Sequence, residues 1–133
     1  KTNYWDNSGK GTIVTGRSIK ELTGNNFDTD PLIMLTKDMV REKLKTAVNN
    51  NKLMVASINN NPFGENKFKL PGGHVYSVLD FDAKTDKVTI RNPWGQTESQ
   101  DKSGMPLDGI DDGIFQLSLE DFAKTFSTIA YEK

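Results

Sequence analysis

The sequence predicts an α+β domain, antiparallel strands with helices flanking them. Three observations carry that prediction. Two β-rich apolar runs, His74–Phe81 and Lys87–Asn92, flank the turn formers Asp82-Ala83-Lys84-Thr85-Asp86 and read as an antiparallel hairpin. Leu35–Asn50 carries Val40, Leu44, Ala47 and Val48 at helical spacing, which makes one apolar stripe. Shorter apolar runs at Leu53–Ala56, Ile114–Leu117 and Ser127–Tyr131 sit between polar turns, as strands do.

Taken in order, Lys1–Gly11 is polar and Gly/Asn-rich, a linker or crossing segment whose only large apolar groups are Tyr4 and Trp5. Thr12–Thr15 reads as a short strand. Ser18–Gly24 reads as a short helix whose Gly suits a C-terminus, and Asn25–Pro31 as a loop. Thr36 or Asp38 can cap the start of the Leu35–Asn50 helix, and Asn49-Asn50-Asn51 ends it. Leu53-Met54-Val55-Ala56 is continuously apolar, so that strand is expected to be buried on both faces. Residues 59–73 form a long loop punctuated by Asn-Pro, Phe-Gly and Pro-Gly-Gly, and it leads straight into His74. A loop of that length beside a reactive group is a candidate substrate wall. Past the hairpin, 96–109 is polar and irregular. Ser118-Leu119-Glu120-Asp121 has the S-x-x-[DE] form that opens a helix, here running through Lys124.

Composition narrows the function. The 133 residues are one domain's worth of chain (1–133), with 35% apolar and 26% charged residues, as in soluble globular proteins. No run approaches the ~18 apolar residues of a membrane helix, and no signal peptide is read. The net charge is −1 with scattered Lys and Arg, so neither nucleic acid nor an anionic membrane is an expected partner. There are 0 cysteines, which excludes disulfides, thiolate metal sites and a thiol nucleophile from within these residues. A zinc centre on His74 would want more histidines than one, and no G-x-S-x-G or phosphate-cradling glycine loop is present.

The hairpin places the only histidine at one end of its first strand and Asn92 at the end of its second. A turn centred on Ala83 sets His74 directly across from Asn92. A turn centred on Lys84 sets them on a diagonal, two residues apart. Either register puts both side chains on one face, roughly 4.5–8 Å apart at Cβ, whereas a one-residue slip would part them to opposite faces. An imidazole held by a carboxamide is what a general base needs from its orienter. Gly72 and Gly73 leave room for backbone or substrate to approach the ring.

The flanks extend this reading. Gly73-His74-x-Tyr76-Ser77-Val78 followed by Ile90-Arg91-Asn92-Pro93-Trp94-Gly95 resembles the histidine and asparagine motifs of the calpain family of papain-like cysteine proteases. Ser18-Ile19-Lys20-Glu21-Leu22-Thr23-Gly24 resembles the short E-x-L-T-G helix and turn of that family, and Asp111-Asp112-Gly113-x-Phe115 with Leu119-x-Asp121-Phe122 resembles a further pattern near its end. The resemblance implies a papain-like half domain, with antiparallel sheets in a partly closed barrel and helices outside. It implies that His74 is the catalytic base, Asn92 its orienter and Trp94 the indole that keeps water off the pair. Water-free surroundings strengthen such a hydrogen bond.

With no Cys, the chain is expected to be the His/Asn half of a cysteine endopeptidase, inactive alone. It would hydrolyse peptides or proteins together with a Cys-bearing half, from the same precursor or a separate chain. This half requires no cofactor. The resemblance also implies a Ca²⁺ site, for which Glu98, Asp112 and the carbonyl of Ile110 match ligand positions. The acid expected two residues after Asp112 is Ile114, and the loop 96–109 looks short, with Asp101 and Asp108 as stand-ins. The rival expectation is a non-catalytic binding module on the same scaffold. The chain opens on Lys1-Thr2-Asn3 rather than Met, and is expected to be a fragment. If processing made it, a secreted or cell-surface protease is the expectation, and otherwise a cytoplasmic one.

Overall fold

A computed structural model describes residues 23–59, 68, 70, 72–92 and 112–133. The expected strand at Thr12–Thr15, most of the Ser18–Gly24 helix, most of the 59–73 loop and the 96–109 stretch lie outside them. The described chain forms six strands: β1 (Phe27–Pro31), β2 (Met54–Ile58), β3 (His74–Asp82), β4 (Lys87–Arg91), β5 (Ile114–Ser118) and β6 (Thr128–Glu132). A 3₁₀ turn (Leu32–Met34) and helix α1 (Lys37–Asn49) lie between β1 and β2, and helix α2 (Leu119–Thr125) links β5 to β6. The strands make one antiparallel sheet in the order β1-β6-β2-β3-β4-β5. The α+β class holds. Among the described residues the sheet is open, with β1 and β5 at its ends, and no pairing closes it into a barrel.

One expected loop is a strand. Within Asn25–Pro31, for which the sequence predicts a loop, Phe27–Pro31 is extended although Asp28, Asp30 and Pro31 are poor strand formers. It pairs along its whole length with β6, and the outermost position tolerates a proline. Tertiary bonds hold it there. The Tyr131 hydroxyl donates to Asp30 Oδ2 at 2.7 Å, and Lys43 Nζ of α1 lies 3.1 Å from the same carboxylate.

The other elements form for the local reasons the sequence supplies. Thr36 caps α1 by accepting the Met39 N–H at 3.2 Å. Ser118 caps α2 by accepting the Asp121 N–H at 3.1 Å. All five residues of β2 are buried. Met54, Ala56 and Ile58 join the main core with Val40, Leu44 and Ala47 of α1 and Leu119 and Phe122 of α2, while Val55 packs with Val75, Ala130 and Phe27 in a second cluster. Each large apolar side chain fully buried this way contributes about 1.5–3 kcal/mol.

The β3–β4 hairpin has an irregular register. Next to the turn, Asp82 pairs with Lys87 and Phe81 with Val88. Carried straight on, that ladder would set Asn92 across from Ser77, on the face opposite His74. A β-bulge intervenes: Val78 pairs with Ile90 and Asp80 with Thr89, leaving Leu79 as the extra residue. Above the bulge Ser77 faces Arg91, so Asn92 falls across from Tyr76, on the His74 face. The core pattern agrees, since Tyr76 and Phe81 are both in the main core while Leu79 and Asp80 are exposed. At the far end, Arg41 of α1 grips the Asp86 carboxylate with two nitrogens, at 3.1 and 2.7 Å. The Asp86 carbonyl accepts the first N–H of α2 at 2.8 Å. The turn is thus tied to both helices.

Candidate active site

The open end of the hairpin brings His74 and Asn92 together. His74 opens β3 directly after Gly73, whose φ of 62° is a left-handed value that a glycine adopts at little cost. Asn92 follows the last residue of β4. The His74 Nε2 and the Asn92 Oδ1 are 2.9 Å apart and both side chains are buried, with Asn92 at 0% and His74 at 2% exposure. A carboxamide oxygen only accepts, so Nε2–H is the donor. That fixes the tautomer and makes Nδ1 the nitrogen with the lone pair. The diagonal placement, two residues apart, is the second of the two registers the sequence allows, reached through the bulge rather than through a turn centred on Lys84.

Beneath the pair lies Tyr76, fully buried, with its ring edge-on to the imidazole at 4.8 Å between centroids and 89° between planes. Tyr76 in turn meets Phe126 at 5.2 Å and Phe115 at 6.4 Å, both T-shaped. The imidazole therefore rests on an aromatic stack that reaches β5 and the end of α2. Burial lowers the His74 pKa from its usual value, and the Asn92 hydrogen bond pulls the other way. The net direction keeps the ring neutral, the state a base requires. Burial also pushes the Tyr76 phenol well above its usual value, so it stays protonated and uncharged.

Asn92 is held through its backbone as well. Its N–H donates to the Gly113 carbonyl at 2.8 Å, one pair beyond the β4–β5 ladder. Gly113 has a φ of 81°. The preceding Asp112 turns its Oδ1 onto the Ile114 N–H at 2.9 Å.

Of the residues singled out in the sequence, His74 and Asn92 are joined by the fold. Trp94, Glu98 and Ile110 lie outside the described residues. Asp112 is described, and its carboxylate caps its own turn. Among the described residues no group of three or more His, Cys, Asp or Glu could hold a metal ion, and no helix is long and apolar enough to cross a membrane. Sequence reasoning missed Tyr76, although a residue two after His74 must share its strand face. It missed Gly113, although Asp-Gly is a turn signal. It missed the bulge, whose trace is the spacing of Tyr76, Val78 and Phe81, where alternation slips by one residue.

The family model for calpain family cysteine proteases matches residues 10–104, a span that contains β1 to β4 and both residues of the pair. No curated protein matches the chain.

Proposed function

The chain belongs to the calpain family of cysteine proteases, and from that premise we propose that it is the His/Asn-bearing half of a calpain-like cysteine endopeptidase, of papain-like fold. The observation that carries the proposal is the buried 2.9 Å bond between His74 and Asn92. With 0 cysteines in these 133 residues, the thiol comes from a Cys-bearing half outside them, in the same precursor or a separate chain, and the substrates are peptides or proteins.

The chemistry divides between the halves. His74 Nδ1 takes the thiol proton, and the thiolate sulfur adds to the scissile carbonyl carbon. The imidazolium returns that proton to the leaving amine nitrogen as the C–N bond breaks, which leaves a thioester. His74 next draws a proton from water as the water oxygen attacks the thioester carbonyl; the C–S bond then breaks, the carboxylic acid product leaves, and the imidazolium returns the proton to the sulfur. Asn92 keeps Nε2–H engaged throughout, so Nδ1 always faces the reaction, and Trp94 shields the pair. The low pKa that burial gives His74 supports a base that is neutral at neutral pH.

The test is reconstitution. Residues 1–133 are mixed with the Cys-bearing half of a calpain core and cleavage of fluorescein-labelled casein is followed. Residues 1–133 alone should give none, the mixture should cleave, and His74→Ala in the mixture should lose the ~10²–10⁴-fold that a general base supplies. Activity that survives His74→Ala would overturn the proposal. So would a complex of the two halves that forms and never cleaves, since that is the behaviour of a binding module.

A further inference from the structure

We infer that the Asp112–Gly113 turn is a positioning element for the catalytic pair: it sets the backbone of Asn92, and through Asn92 the tautomer of His74. The inference rests on the reading of Asn92 as the orienter of His74.

The observations form a chain of contacts. The Asp112 Oδ1 accepts the Ile114 N–H at 2.9 Å and closes a tight side-chain turn over Gly113. That turn requires Gly113 at a φ of 81°, where a Cβ would be strained. In that conformation the Gly113 carbonyl points at β4 and accepts the Asn92 N–H at 2.8 Å. Asn92 has left the regular ladder at this point, because Arg91 and Ile114 are the last pair of β4 and β5. The bond to Gly113 is the backbone bond that continues the ladder to Asn92. The carboxamide it carries is buried, and its Oδ1 meets His74 Nε2 at 2.9 Å. A displaced Gly113 carbonyl would let the Asn92 backbone move, and a hydrogen bond weakens steeply with misalignment.

The proposal gives Asp112 a task that needs an oxygen acceptor and not a charge. Asp112→Asn therefore keeps the function, because its Oδ1 can accept the same N–H, whereas Asp112→Ala removes it. A cation-binding role would rank the variants differently, since the loss of a carboxylate charge would weaken binding in Asp112→Asn as well as in Asp112→Ala.

The test uses the full chain and its single histidine, which gives one set of imidazole ¹⁵N resonances. The unmodified chain should show one tautomer, proton on Nε2 and lone pair on Nδ1, with slow exchange of the Nε2 proton. Asp112→Ala and Gly113→Ala should move the ¹⁵N shifts toward an average of the two tautomers. They should speed Nε2–H exchange about fivefold, the effect of losing one hydrogen bond of about 1 kcal/mol where 1.4 kcal/mol is tenfold. Asp112→Asn should match the unmodified chain. Backbone amide dispersion shows that each variant is folded, a condition that a merely structural role would also meet. Asp112→Ala with an unmoved tautomer and exchange rate would overturn the inference. So would Asp112→Asn behaving like Asp112→Ala. Asn92→Ala separates the two levels: if it leaves the tautomer unchanged, the orienter reading itself fails, whatever the turn does.

Discussion

The sharpest energetic prediction concerns the coupling of His74 to Asn92. Both are buried and joined at 2.9 Å. Asn92→Ala removes the acceptor and strands a buried N–H, which costs about 1–3 kcal/mol. His74→Ala takes the ring's bond away from the carboxamide at a similar cost, again about 1–3 kcal/mol. The double variant strands neither, because both polar groups are gone. Its destabilisation should therefore fall short of the sum of the singles by both penalties together, about 2–6 kcal/mol, the lower part of which overlaps the range seen for contacting residues. The assay is urea unfolding of the four chains by far-UV circular dichroism, extrapolated linearly to water. Residues that merely share a region add to within about 0.5 kcal/mol. A cycle that closes inside that margin would mean the pair is adjacent without being bonded in any energetically meaningful way, and Asn92 would not be the orienter of His74.

Two further outcomes follow from the geometry. Burial holds the His74 pKa below its ordinary 6.5, so the unfolded chain binds a proton there that the folded chain refuses. Stability should be complete above about pH 6.5 and fall as pH drops below it, by at most about 1.4 kcal/mol per unit. His74→Ala should flatten denaturant midpoints between about pH 5 and 6.5. The carboxyls of Asp30, Asp86 and Glu132 lie below their usual values, so their stabilisation fades only at lower pH. An equal slope in His74→Ala over the upper window would refute the assignment. Deletion of Leu79 should be tolerated, because Val78 and Asp80 already pair with the consecutive residues Ile90 and Thr89. The shortened β3 becomes a regular strand, with the His74 ¹⁵N pattern intact; a lost Nε2–H signal would show that the faces have been misassigned.

Much of this architecture is legible in the chain. Periodicity finds α1 because Val40, Leu44 and Ala47 are its buried face. A continuous apolar run finds β2 because both of its faces are covered. The hairpin and its two polar side chains are visible because alternation and turn formers are local signals. What stays hidden is decided by tertiary contact. Nothing local in Asp28-Thr29-Asp30-Pro31 favours extension; β6, Tyr131 and Lys43 impose it. The turn register is hidden too, since Asp86 takes a left-handed φ of 54° and is clamped by Arg41, a residue 45 positions away. The Asn92–Gly113 bond joins segments whose only shared property is where the sheet puts them.

The bulge changes how distance along the chain should be counted. His74 and Asn92 are 18 positions apart, yet that figure is not a requirement of the site. One residue of it is spent at Leu79 and four more in the turn that Ala83–Asp86 forms. Chain length on the turn side of Val78 can drift by a residue, with the slack absorbed as a bulge or given back as a straight strand. The reading frame that matters is short and lies on the other side: two steps from His74 to Tyr76, two from Ile90 to Asn92. A relative with a different His-to-Asn separation can therefore keep the same pair in contact, while one with a residue gained between His74 and Tyr76 cannot, however well its motifs align.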